Sequence, residues 1–324
     1  MRAMFKSIPI EVVIATSMIA IMLLLSAGFR LPIIYPSGPS AAFVGIHYIY
    51  PLAGVALLGM ATFITVKREV ALKFMLSIPC YAAVLFAHFN IKLWIPFINP
   101  TLHDAFYWKI DKWFRPLVEA CFSIREYLTI ILPANTNFYM TGFMALFYGS
   151  FLYHAIKTPA MFRKLVVAVL LLQALGSFAY LLAPAIGPFI YETGDNPVIS
   201  AGQHGMAEYY WQTVKNGRGW LAQYGSENFT AGLAAMPSLH SAGTFLFFLF
   251  AWKYGRPLVP FYSFILFFIL IAAVSSRWHY LIDIPVGLGL AWACYWLAHQ
   301  LLRETADNVP ESFSGSVPLP ANVS

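Results

Sequence analysis

Two histidines beside long apolar runs are the residues of this chain best suited to chemistry. His240 stands in AAMPSLHSAG (234–243), just before the run TFLFFLFAW, and His279 stands in SSRWHYLIDIPVG (275–287). Asp283 follows His279 by four residues, a spacing that on a helix puts both side chains on one face, a turn apart. A carboxylate there accepts an imidazole N–H, sets the tautomer and makes the other ring nitrogen the better nucleophile. Arg277, two residues before His279, carries the planar fork that grips a phosphate's oxygens, or else it holds its own loop. Ser238 suits a helix N-cap, and the backbone N–H groups from Ser238 to Ser241 then open towards an anion. Together these residues describe a place to bind and attack a phosphoryl group. Spacing alone leaves open which imidazole attacks, and Asp283 tips the choice to His279.

The other titratable groups ask for less. His47, His88, His154, His204 and His299 are expected to be satisfied by near neighbours. Asp283 differs, because a carboxylate close to an apolar span is costly and usually functional. His103 and Asp104 have no companions at zinc-like spacing, so no metal site is expected. No glycine-rich phosphate loop with its lysine occurs either, which argues against a cytosolic nucleotide donor, and no cofactor is expected.

The elements that must position these residues are membrane helices. Of the 324 residues 60% are apolar and only 10% charged, against about half and a quarter in soluble domains. Several continuous apolar runs approach the ~20 residues that cross a bilayer core, and their continuity excludes the alternating pattern of barrel strands. The expected fold is an all-α polytopic bundle of about eight spans, at roughly 10–29, 43–66, 72–98, 134–156, 164–186, 238–253, 257–275 and 280–302. The first run follows Arg2 and Lys6 but lacks a small-residue cleavage site, so it reads as a retained anchor. Cys80, Cys121 and Cys294 form no framework and are expected to pack.

Charge sets the expected orientation. Arg2, Lys6, Lys67, Arg68, Lys73, Lys157, Arg163, Lys164, Lys253, Arg256 and Arg303 all fall on one side of the eight-span arrangement, the side that the positive-inside bias makes cytoplasmic. Both termini then lie in the cytoplasm. The segment 99–133, the long loop 187–236 and both histidine-bearing helix starts lie on the other face, periplasmic, extracytoplasmic or lumenal. The net charge of +6 is scattered through loops, so no nucleic-acid partner is expected. Four units follow: N-terminal spans 1–98, an interfacial amphipathic segment 99–133, a catalytic helical region 134–303 and a polar tail 304–324 expected to be disordered. In the interfacial segment Phe106, Ile110, Trp113, Phe114 and Leu117 share a face, which suits a helix lying along the headgroups or, equally, a lid packed on the bundle. The 187–236 loop reads as a cover over the outer mouth, and Asn228 opens a glycosylation sequon that matters only in a secretory host.

The stretches PSLHS (237–241) and SRWHYLID (276–283) resemble the second and third signatures of the type 2 phosphatidic acid phosphatase superfamily. Leucine in place of the usual glycine, the short gap from Arg277 to His279, and YLLAPAIGP (180–188) are more similar to the branch of the inositol phosphorylceramide synthases and their bacterial relatives. The resemblance runs over roughly 160–300. It implies a six-helix phosphatase-type core with extra N-terminal spans, and a metal-independent phosphoryl transfer in two steps. His279 would form a phosphohistidine oriented by Asp283, while His240 would protonate the leaving oxygen and then deprotonate the acceptor. Ser238, Arg277 and Ser241 would hold the phosphate. The superfamily's first signature is not met, since Lys109 stands one residue too near Arg115–Pro116; Lys112, Arg115, Lys215 and Arg218 are candidates for the second cation.

The implied substrate is a membrane lipid of phospholipid, sphingolipid or polyprenyl phosphate type. Transfer to an alcohol such as inositol would make a headgroup transferase; transfer to water would make a lipid phosphatase. A lipid transporter using the same groups is the alternative of another class. It would require matching half-motifs in the two halves of the chain, and the first four spans contain none.

Overall fold

The computed structural model describes residues 8–62, 68–133, 138–233 and 236–303. The expected tail 304–324, Arg2, Lys6 and Lys67 lie outside the described residues. The described residues form α-helices and no strand: α1 Ile10–Phe29, α2 Gly38–Val44, α3 Tyr50–Thr62, α4 Arg68–Ile98, α5 Asp104–Trp113, α6 Arg115–Leu128, α7 Phe138–Ile156, α8 Pro159–Leu182, α9 Pro197–Tyr224, α10 Leu239–Tyr254, α11 Val259–Ser275 and α12 Asp283–Leu301. Among them Ile10–Phe29, Met75–Ile98, Pro159–Leu182 and Arg256–Ser275 are long and apolar enough to cross a bilayer, which makes this a helical membrane protein.

Within the run expected as one span over 43–66 the chain stays helical through a π-turn at Gly45–Ile49, in which the Tyr50 N–H reaches back to the Gly45 carbonyl, and residues 63–66 lie outside the described residues. Two expectations are corrected. The 187–236 loop contains the long helix α9. The Asn196 side chain caps it by accepting from Val198 and Ile199, Pro197 suits its first turn, and Gly217 (φ 75°) kinks it. Finally, His279 is not helical: α12 begins only at Asp283, so the His279–Asp283 contact is made by a turn rather than along a helix face.

The core is aromatic and closely packed. Phe147 and Phe151 of α7 meet Phe247 of α10 at ring-centroid distances of 5.5 and 6.2 Å. Side-chain bonds show which helix ends lie together. At one end Arg163, in the first turn of α8, grips Glu11, in the first turn of α1, with bonds of 2.6 and 3.0 Å. At that same end the last turns of α10 and α12 meet through Tyr254 and His299 at 3.0 Å. At the other end Trp94 of α4 donates to Pro32 beyond α1 (3.0 Å), and Asn99 donates to Leu181 at the end of α8 (2.9 Å).

Helices α5 and α6 bury three charged side chains, Asp104, Asp111 and Arg125, beside Tyr107, Val118 and Cys121. Their outer side mixes the exposed aromatic and aliphatic Phe106, Trp113, Phe114 and Leu117 with the exposed charges Lys109, Lys112, Glu119 and Glu126. An outer face that carries both large apolar and charged side chains suits the boundary between bilayer and water.

Candidate active site

His240 lies in the first turn of α10, its ring edge-on to Phe143 (4.9 Å) and Tyr139 (5.6 Å) of α7. His279 comes from the turn between α11 and α12. Both rings line one cavity of about 310 Å³, together with Trp278 from the same turn and Tyr180 from the end of α8. That volume sits at the small end of ligand sites and suits a headgroup better than a whole lipid.

The turn is held so that His279 and Asp283 meet. The Asp283 N–H donates to the Tyr280 carbonyl (3.1 Å), and the Tyr280 N–H donates back to Asp283 Oδ2 (2.9 Å). His279 Nδ1 stands 3.2 Å from that same Oδ2. A carboxylate only accepts, so Nδ1 carries the proton and the lone pair sits on Nε2, the nitrogen a nucleophile needs. Asp283 is fully buried, and its position at the start of α12 eases its negative charge.

The two helix starts are joined directly. The Ser238 N–H donates to the Asp283 carbonyl at 3.2 Å, and a Cβ on Gly287 would stand 2.7 Å from the Ser238 carbonyl oxygen. Only glycine permits that approach. Ser238 occupies the N-cap position of α10, but its hydroxyl donates to Ser241 Oγ (2.9 Å) instead of accepting a backbone N–H. Both serines are buried, and neither lines the cavity.

Arg277 is also out of the cavity. Its guanidinium is fully buried, paired with Asp111 Oδ2 at 2.7 Å and with Glu192 Oε2 at 3.2 Å, and lies over the Trp108 ring. Glu192 in turn binds Arg115 at 2.7 Å. The Arg277 backbone lies in the left-handed region (φ 59°), where a non-glycine residue is strained, so the paired side chain holds the turn in a conformation that glycine would otherwise supply. Asp111 also accepts the Leu281 N–H (2.8 Å). Asp104 accepts from the Ile186 and Gly187 N–H groups (3.0 and 2.9 Å) and from the Tyr280 hydroxyl (2.7 Å). Helix α5 thus buttresses the turn between α11 and α12 from behind with two carboxylates. Burial, and after it the charges of Asp283 and Asp104, push the neighbouring Tyr107 phenol up to about 12.

None of Lys112, Arg115, Lys215 and Arg218 lines the cavity, whereas Lys92 of α4 does, with His88 and Gln173 beside it. Sequence reasoning missed Lys92: one lysine in an apolar run reads as a tolerated charge. Among the other histidines, Nδ1 of His47, His88, His154 and His299 each has a hydrogen-bond partner, and His204 packs edge-on to Phe189. The His103 ring lies 6.0 Å from that of Tyr107, tilted by 37°.

A family model described as the PAP2 superfamily matches residues 107–297, more than half of the chain. No curated protein and no solved structure matches it.

Proposed function

The chain belongs to the PAP2 superfamily, and from that premise we propose that it moves a phospho-headgroup between lipids by way of a phosphohistidine on His279. The observation that carries this reading is the shared cavity: His279, backed by Asp283, and His240 line the same walls. In the first step His279 Nε2 attacks phosphorus and the bond to the leaving oxygen breaks. His240, protonated at that stage, gives its proton to that oxygen. In the second step the acceptor hydroxyl loses its proton to His240 and attacks, breaking the P–N bond and restoring His279. Such proton transfers are worth about 10²–10⁴-fold in rate. No metal enters this sequence.

Ser238 and Ser241 serve here as the brace of the α10 start, whose N-terminus faces the developing charge. Arg277 serves as the clamp of the turn, acting on the phosphate only through His279 and Trp278. The donor and acceptor are lipids or lipid headgroups of phospholipid, sphingolipid or polyprenyl phosphate type. Phosphoinositol-type transfer is favoured by the SRWHYLID pattern and its resemblance to the inositol phosphorylceramide synthase branch; hydrolysis is the reading if water reaches the phosphohistidine. The chain would cross the bilayer about eight times, with the basic ends of α7, α8, α10 and α12 in the cytoplasm and the cavity on the opposite face.

The test is direct. Purified full-length protein, incubated in detergent with chelator, a labelled lipid extract and inositol, should yield an acid-labile phosphoenzyme and a new headgroup lipid identified by mass. Free phosphate as the sole product would make it a phosphatase. Strict dependence on an added divalent metal, or label retained by His279→Ala, would overturn the mechanism.

A further inference from the structure

Lys92 is buried in α4, only 8% exposed, six residues before the end of a membrane-type helix. Among the described residues its ammonium has no carboxylate and no hydrogen-bond partner. It rests between the faces of Phe89 (5.6 Å) and Tyr180 (5.5 Å). Buried charges in membrane helices are paired or mark a ligand path, and two aromatic faces compensate a desolvated ammonium far less well than an anion does. Its cavity is the one lined by His240 and His279. The other cationic side chains near the turn are already engaged, Arg277 by Asp111 and Glu192 and Arg115 by Glu192 and Glu119.

We infer that Lys92 is the phosphate-binding cation of this site, receiving the anionic phosphate of a lipid phosphomonoester or phosphodiester opposite the two histidines. The role given to that phosphate rests on the reading of His279 as nucleophile, while the anion site itself rests on the geometry around Lys92. A lysine grips phosphate as a point charge and tolerates the turning of the group during in-line attack, which a paired guanidinium would resist. The cover segment completes the arrangement. Gly232 lies so close that a Cβ there would stand 2.7 Å from Lys92 Cβ, so the outer segment closes directly over the lysine's backbone. Lys92 also lies outside residues 107–297. The N-terminal helices therefore supply a part of the site that the family segment does not contain.

The test uses full-length protein in detergent, with inorganic phosphate and, separately, mixed micelles containing phosphatidic acid as probes. Thermal unfolding of wild type, Lys92→Met, Lys92→Arg and His279→Ala is followed as each probe is titrated. Wild type and His279→Ala should be stabilised, Lys92→Met should need roughly tenfold more probe or more, and Lys92→Arg should recover most of the response. Without probe, Lys92→Met should unfold no lower than wild type, because an unpaired buried charge has gone; a lysine that merely supported the fold would lower the midpoint. Protection by the micelles alone, lost in Lys92→Met, keeps the inference and identifies the lipid as the source. An equal response of wild type and Lys92→Met, or no response of wild type to either probe, overturns it. Lys92-dependent binding without turnover would end the phosphohistidine reading and leave the anion site standing.

Discussion

The backbone N–H of Ser238 donates to the carbonyl of Asp283 across 3.2 Å, so the segments bearing the two histidines are tied main chain to main chain. Gly287, one turn into α12, makes room for that tie. A Cβ there meets the Ser238 carbonyl at 2.7 Å, and backbone cannot rotate away as a side chain can.

Gly287→Ala should therefore push the starts of α10 and α12 apart. The expected loss is about 1–3 kcal/mol, in the range of overpacked cores, with turnover falling further than stability because His240 and His279 separate. Thermal unfolding in detergent and the headgroup-transfer assay check this together. An unchanged rate would mean that the tie does not set the catalytic spacing.

Arg277 and Asp111 are both buried, 2.7 Å apart, from segments 166 residues distant in the chain. Removing one partner of such a pair typically costs about 3–5 kcal/mol, since the other charge remains buried. Asp111→Ala and Arg277→Gln should each lower the unfolding midpoint sharply, and Asp111→Leu combined with Arg277→Met should recover part of it. If Arg277 instead gripped the phosphate directly, Arg277→Gln would lose activity at an unchanged midpoint.

Asp283→Asn retains the shape of the carboxylate but not its charge. The turnover rate should fall about 10²–10⁴-fold while the fold persists, because a fully buried charge has been removed. His279→Ala should abolish turnover. His240→Ala should hurt least with leaving groups that depart without a proton, and equal losses across leaving groups would contradict its role as acid.

Orientation is open to chemical labelling. The three native cysteines are buried and should stay silent, whereas Lys112, exposed on α5, offers a surface position. Lys112→Cys should react with an impermeant thiol reagent on intact cells; reaction only after permeabilisation would invert the arrangement.

Much of this was legible along the chain because apolar runs announce helices and the histidine motifs are local. The expected run 10–29 is α1 to the residue, and His240, His279 and Asp283 come together as their types require. What escaped was non-local. Asp104 and Asp111 belong to the segment expected to lie along the interface, and only folding turns them inward to the turn between α11 and α12. The four-residue spacing of His279 and Asp283 suggested a helix, yet Arg277's left-handed backbone ends α11 and forces a tight turn that brings the same two groups together. Lys92 carried no periodic signal, since its importance lies in having no counter-ion, a property of the folded surroundings.

The position of Lys92 before the family segment separates two heritable units. On the reading proposed above, the bonds are made and broken by one stretch of chain, and the charge that greets the incoming molecule belongs to another. Exchanging the first helices for those of a relative would then be expected to alter which molecules are admitted.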